Sequence, residues 1–193
     1  DASFGYFPSP ALQWTATIFM IAGSVPFFLY IKAAHGSPRQ MFTDQQVRGF
    51  IGLLAFSSVG LALWLFITHP IGWFKALTET AFHVTSVVTT TGFVVEDYTA
   101  WGTGAAGAFL VLMFVGGCSG STSGAIKIYR HQILIMLVRA HVKRLFSPNR
   151  VIRLSYNGTP IPDDVPYSIL AFLAVFVATI AAFTVSLSFL GLD

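Results

Sequence analysis

Residues 108–124 read Ala108-Phe109-Leu110-Val111-Leu112-Met113-Phe114-Val115-Gly116-Gly117-Cys118-Ser119-Gly120-Ser121-Thr122-Ser123-Gly124. The first eight residues are apolar and suit a helix in a bilayer. The nine that follow, with four glycines and four serines or threonines, do not. Each glycine in a helix interior costs about 1 kcal/mol relative to alanine. Counted from Gly104, the break begins 12 residues into an apolar segment, roughly 18 Å along it at helical rise. In a membrane, backbone that leaves helical bonding at such depth is tolerated only where it is buried in protein or lines a watery cavity. A close contact between helices through small residues is the plainer alternative.

The charge pattern places these residues in a membrane. Of 193 residues, 54% are hydrophobic and 10% charged, against roughly 25% charged in a soluble domain. No Asp, Glu, Lys or Arg lies between Asp1 and Lys32, Arg48 and Lys75, Asp97 and Lys127, or Asp164 and Asp193. Every gap is at least 26 residues long, and a helix crosses a bilayer with about 20. Soluble, disordered and disulfide-stapled classes are excluded; Cys118 is the single cysteine and has no intrachain partner. The chain opens on Asp1 without a recognisable signal peptide and stops just after an apolar run. It is expected to be a fragment of a longer protein.

The isoelectric point near 9.2 reflects where the basic residues sit. Lys127, Arg130, Arg139, Lys143, Arg144, Arg150 and Arg153 share one stretch free of acids, and Lys32, Arg39 and Arg48 share another beside Asp44. Cytoplasmic loops collect lysine and arginine, so residues 32–48 and 127–164 are expected inside and no nucleic-acid partner is expected. Apolar segments at 11–31, 49–68, from 104, and at 167–190 then run inward, outward, inward and outward. Residues 69–103 fall on the outer side.

That outer stretch is unusual for a loop. Residues 71–88 are apolar and helix-compatible, about 27 Å long at helical rise, but crossing would put the basic stretches on opposite sides. A re-entrant helix that dips and returns fits, ending at Thr89-Thr90-Thr91-Gly92-Phe93; a β-hairpin arm or an interfacial helix are the alternatives. A re-entrant helix turns its negative C-terminal end into the membrane. Extended residues after it can then aim carbonyl oxygens at a permeating cation, with Gly92 permitting backbone angles closed to other residues. Glu79, Glu96 and Asp97 would make the outer mouth attractive to cations. Enzyme chemistry has thinner support. Gly117-Cys118-Ser119-Gly120 matches the Gly-x-Ser-Gly of intramembrane serine proteases, but a serine nucleophile needs a histidine base within reach. His83 lies in the outer stretch, while His131 and His141 lie among the inner basic residues. Lys127 is not placed to complete a phosphate-binding loop. Asp163 and Asp164 are adjacent turn acids, and no Cys/His metal cluster is evident. A non-conducting scaffold, with the small residues serving helix packing, also stays open.

Two strings resemble a known family. His83-Val84-Thr85-Ser86-Val87-Val88-Thr89-Thr90-Thr91-Gly92-Phe93 with Asp97-Tyr98, and Phe114-Val115-Gly116-Gly117-Cys118-Ser119-Gly120-Ser121-Thr122-Ser123-Gly124-Ala125-Ile126-Lys127, are similar to the Trk-type potassium uptake proteins of the TrkH/KtrB family. Arg144-Leu145-Phe146-Ser147-Pro148 resembles the basic connector that follows, and Asp1-Ala2-Ser3-Phe4-Gly5-Tyr6-Phe7 the stretch after a second filter. The resemblance implies an all-α integral membrane fold of helix–pore loop–helix repeats around a pseudo-fourfold cation pore. It assigns 1–48 to the last helix of repeat two and a cytoplasmic connector, 49–146 to repeat three, and 147–193 to a connector and the first helix of repeat four. Thr90, Thr91, Gly92 and Phe93 match the third quarter of a selectivity filter, with potassium at Thr90, Thr91 and Gly92; residues 116–124 match an intramembrane gate loop. Potassium is implied as the transported ligand, with no cofactor in this chain and no enzymatic activity. The implied setting is a bacterial inner membrane, a homodimer among lipid, and a cytoplasmic nucleotide-binding ring subunit of the TrkA or KtrA type. The family's loop usually carries more glycine where Ser123 and Ala125 stand here, and selectivity in the family depends on all four filter loops.

Overall fold

A computed structural model describes residues 3–7, 9–147, 153–162 and 164–191. The ends Asp1, Ala2 and Asp193, the connector residues Pro148 and Arg150, and Asp163 lie outside the described residues. The chain forms two compact units, Asp1–His131 and Gln132–Asp193.

In the first unit, helices α1 (Pro10–Gly23) and α2 (Phe27–Ala34) replace the single span expected at 11–31, with a 90° bend between them. Pro26 explains the bend. It has no N–H to continue the ladder, and its ring opposes the helical carbonyl four residues back. The short helix α3 (Arg39–Thr43) leads to α4 (Gln45–Thr68), which is long and apolar enough to cross a membrane. Asp44 starts α4 by accepting hydrogen bonds from the N–H groups of Gln46 (2.8 Å) and Val47 (3.4 Å), the side-chain cap that satisfies the unpaired N–H groups of a helix start.

Next comes α5 (Trp73–Val88), the most enclosed helix of the unit. From Thr78 to Ser86 every residue is buried, including Glu79 and His83. It lies against α1 and α4. The Trp14 indole donates to the Thr78 hydroxyl (3.2 Å), and the Thr80 hydroxyl donates to the Ser58 carbonyl (3.1 Å) and its own Ala76 carbonyl (2.8 Å). Bonding back to the preceding turn is how threonine satisfies itself inside a helix. A helix, and neither a hairpin arm nor a surface helix, therefore occupies Trp73–Val88.

After a short 3-10 turn at Tyr98–Trp101, α6 (Thr103–Leu112) runs for ten residues and stops. Residues 113–125 are non-helical, and the chain resumes as α7 (Ile128–Phe146). Two-residue strands β1 (Val115–Gly116) and β2 (Ile126–Lys127) pair in parallel and close the base of the loop, Val115 opposite Ile126. The core joins Phe50, Leu54 and Leu65 of α4, Val84 and Val88 of α5, and Phe109 of α6; Cys118 of the loop is also in it.

The second unit takes up α7 from Gln132. Strands β3 (Ser155–Tyr156) and β4 (Thr159–Pro160) form an antiparallel hairpin turning at Asn157-Gly158, both with positive φ, the arrangement that a two-residue hairpin requires. The Tyr156 hydroxyl meets the Gln132 side chain. Then α8 (Asp164–Phe189) provides the second helix of spanning length; Val175, Phe183 and Phe189 stand exposed on it.

Candidate functional site

The end of α5 is built by backbone. Thr90 donates its N–H to the Val87 carbonyl and Thr91 donates to the Ser86 carbonyl, each at 3.0 Å; Gly92 also donates to Ser86 (3.4 Å). The first two bonds are those of a Schellman helix end, whose turning residue adopts the left-handed conformation. That residue is Thr90, at φ +56°. Every N–H from 90 to 92 thus points back into the helix. Among the described residues, no hydrogen bond reaches the carbonyl oxygens of Thr90, Thr91 or Gly92, and these residues are exposed at the end of a buried helix.

Phe93 differs from its three neighbours. Its carbonyl accepts the Ser86 hydroxyl at 2.6 Å, and its ring packs on Phe4 with centroids 4.9 Å apart. Residues 3–7 brace this side, with the Phe4 N–H donating to the Val94 carbonyl (3.0 Å). Gly5 is needed there, because a Cβ would sit 2.3 Å from the Val95 oxygen. Thr90, Gly92 and Phe93 also border a cavity of about 260 Å³ that Ser86, Tyr98 and Met113 line as well.

The acids divide. Glu79 is buried in the body of α5, 3.5 Å from Lys75, and so does not stand at an outer mouth as expected. Glu96 accepts the Trp101 indole N–H at 2.7 Å. Asp97 is exposed, and the Thr99 hydroxyl (2.6 Å) and N–H (2.9 Å) hold its carboxyl below the ordinary aspartate range. His83 is enclosed by the rings of Phe82, Tyr98 and Trp101, centroids 5.3–5.8 Å away, and neither ring nitrogen has a hydrogen-bond partner among the described residues.

The 116–124 loop lies against the bend between α1 and α2. That bend leaves the Gly23 and Ser24 carbonyls and the Phe27 N–H without helical partners, and the loop supplies them. Cys118 N–H donates to the Ser24 carbonyl (3.1 Å), and Thr122 donates to the Gly23 carbonyl through both its N–H (3.3 Å) and its hydroxyl (3.0 Å). The Phe27 N–H donates to the Gly120 carbonyl (3.0 Å). Gln46 of α4 accepts the Ser119 N–H through Oε1 at 2.8 Å. The Lys127 ammonium caps the Ser123 carbonyl. Two interrupted helices therefore complete each other's backbone bonding, the condition under which non-helical chain survives inside a membrane. Simple helix–helix contact through small residues does not describe this loop.

Glycine is required at the loop's base. A Cβ on Gly116 would lie 2.1 Å from the Gly124 oxygen, and one on Gly117 would lie 2.2 Å from Ser123 Oγ. At this same base the Gly124 N–H donates to Thr90 Oγ1 at 2.6 Å. The two motifs, 34 residues apart in sequence, thus meet directly. Sequence reading missed Gly23, Ser24, Phe27, Gln46 and Ser86. Pro26 inside an apolar run was the available signal for the first three; nothing local marks the other two.

Comparison with known proteins agrees with this architecture. The family model TrkH, described as a cation transport protein, matches residues 1–191. The Trk system potassium uptake protein TrkI of Halomonas elongata is 43% identical over all of this chain and 39% of its own length. TrkH of Escherichia coli K12 is 26% identical, with 40% of its length covered. The crystal structure of the potassium transporter TrkH from Vibrio parahaemolyticus superposes with a TM-score of 0.93 at 27% identity, covering this whole chain and 42% of that one. The chain therefore spans about two-fifths of the length of the relatives it matches. It belongs to the TrkH family of cation transport proteins.

Proposed function

We propose that the chain is part of a potassium uptake subunit, in which Thr90, Thr91, Gly92 and Phe93 form one quarter of a selectivity filter and residues 116–124 form the gate beneath it. One observation carries the reading. Three consecutive backbone carbonyls, at Thr90, Thr91 and Gly92, accept no hydrogen bond, while their N–H groups are tied back into α5. Such oxygens can replace the hydration shell of a cation, and the negative C-terminal end of α5 favours the cation there. Phe93 contributes through its ring and through the Ser86 bond that anchors the end of the filter.

Residues 32–48 and 127–164 face the cytoplasm of a bacterial inner membrane, and residues 69–103 face outward. The segments 1–48, 49–146 and 147–193 belong to repeats two, three and four of one pore. The relatives' names speak of a Trk system. A cytoplasmic nucleotide-binding ring of the TrkA or KtrA type, set against the basic stretch, and a homodimeric pore unit complete it. The membrane potential, about 2.3 kcal/mol per charge per 100 mV, drives entry. The protease alternative lacks its base: Ser119 has no hydrogen bond to a histidine among the described residues, and His83 is sealed among aromatic rings.

The test is cation flux through the full-length parent in vesicles, wild type against Gly92→Ser. Gly92 sits at φ +78° with open space around it, so serine strains the backbone without a clash. Potassium preference over sodium in the wild type, and its loss in the variant, is the expected result. Flux with unchanged selectivity removes the filter from this segment. No cation flux with the regulatory subunit present overturns the transport reading.

A further inference from the structure

Thr90 is the wrong residue for its backbone. The turning position of a Schellman end is usually glycine, because a left-handed backbone costs an L-residue free energy that glycine is spared, and a β-branched residue there is a true outlier. Thr90 holds φ +56° nonetheless. What glycine would lack is the hydroxyl, and that hydroxyl accepts the Gly124 N–H at 2.6 Å. Among the described residues this is the one hydrogen bond between the 116–124 loop and residues 89–93. The far side is strained as well: Ala125, next to Gly124, holds φ +52°. Strained residues persist where surrounding structure holds them in place, and they gather at switch regions.

We propose that the Thr90 hydroxyl is a latch that holds the 116–124 loop against the end of α5, so that one residue lines the candidate filter with its carbonyl and restrains the loop with its side chain. The latch itself follows from the contact. Its consequence for ion flux rests on the filter-and-gate reading above. Releasing it leaves the Gly124 N–H without a partner and lets the left-handed residues on both sides relax, so the loop leaves its seat more often. The other loop contacts, to Gly23, Ser24, Phe27 and Gln46, run to α1, α2 and α4 and do not substitute for a bond to α5.

The loop carries its own reporter. Cys118 is fully buried and becomes reactive only when the loop lifts. The experiment measures the rate of N-ethylmaleimide modification of Cys118 in the full-length parent, with any other cysteine replaced by serine. Thr90→Val, close in shape but without the hydroxyl, is expected to react about tenfold faster, the scale set by one lost hydrogen bond with its donor left unsatisfied. Thr90→Ser restores the oxygen and is expected to bring the rate back to within about twofold of wild type. If the valine variant does not fold, Thr90→Gly takes its place. It relieves the backbone yet removes the latch, and it is also expected to expose Cys118. A wild-type rate in Thr90→Val or Thr90→Gly, or a serine variant as fast as valine, overturns the latch. Gly92→Ser separates the two ideas. Altered selectivity in that variant with unchanged labelling across the Thr90 series discards the latch alone, whereas a labelling response with unchanged Gly92→Ser selectivity discards the filter alone.

Discussion

Gly116→Ala tests the base of the loop, where the backbone of 116 runs against the backbone of 124. The added Cβ would lie 2.1 Å from the Gly124 oxygen, 3.2 Å from its carbonyl carbon and 3.4 Å from the Ala125 carbonyl carbon. Ordinary separations between heavy atoms are near 3.5 Å, so the facing strand must retreat by more than about 1 Å. It has little freedom to do so. Gly124 is bonded to Thr90, and the Ile126 N–H donates to the Phe114 carbonyl at 3.3 Å. Losing those two bonds costs about 1 kcal/mol each, and the crowding adds about 1–3 kcal/mol. The seated loop is then weakened by about 3 kcal/mol or more, which at 1.4 kcal/mol per decade is roughly a hundredfold shift toward the lifted state. Gly117→Ala provides the internal comparison. Its nearest obstacle is Ser123 Oγ at 2.2 Å, which can rotate away, followed by Ser24 Cβ at 2.9 Å, so its effect should be smaller. The assay is Cys118 modification together with thermal unfolding of the full-length protein in detergent. Equal behaviour of Gly116→Ala and wild type, or a larger effect of Gly117→Ala, would refute the close approach from which the magnitude is worked.

Two further outcomes follow from the same geometry. Ala125→Gly should tighten the seated loop, because it removes a left-handed alanine at φ +52°; about 1 kcal/mol is expected, read as a roughly fivefold slower modification of Cys118. Gln46→Leu strands the Ser119 N–H that Oε1 now accepts at 2.8 Å. It should destabilise the loop by about 1–3 kcal/mol, and an unchanged unfolding temperature would show that this bond contributes nothing.

The sequence revealed the parts of the site that depend on composition and spacing. Nine residues crowded with glycine, serine and threonine inside an apolar segment announce a break, and α6 does stop at Leu112. A Thr-rich end after residues 71–88 announces a helix that halts, and α5 does stop at Val88. Relations between distant segments were not legible. The 11–31 segment reads as one span by hydropathy, although Pro26 breaks it, because apolar content says nothing of backbone continuity. Glu79 reads as a mouth acid by its position near the outer side, yet its place on α5 turns it toward Lys75, one turn away, and into the interior. The pairing of Val115 with Ile126 joins two residues at a time and leaves no periodicity to read.

The missed break in the first apolar segment explains how the second can exist. A bend at Pro26 alone would strand the Gly23 and Ser24 carbonyls and the Phe27 N–H, and a glycine-rich loop alone would strand its own amides. Each unpaired group buried away from water costs about 1–3 kcal/mol, so either interruption by itself is poorly tolerated in a membrane. Together they cancel, because Cys118, Gly120 and Thr122 of the loop meet Ser24, Phe27 and Gly23 of the bend. The exchange also constrains motion. A loop that lifts re-exposes polar groups on both partners at once, and inside the membrane only water or a hydrated ion can satisfy them. On the gating reading, opening the loop and wetting the space beneath residues 90–92 are then a single event, and a loop seated on the bend keeps that space closed to hydrated ions.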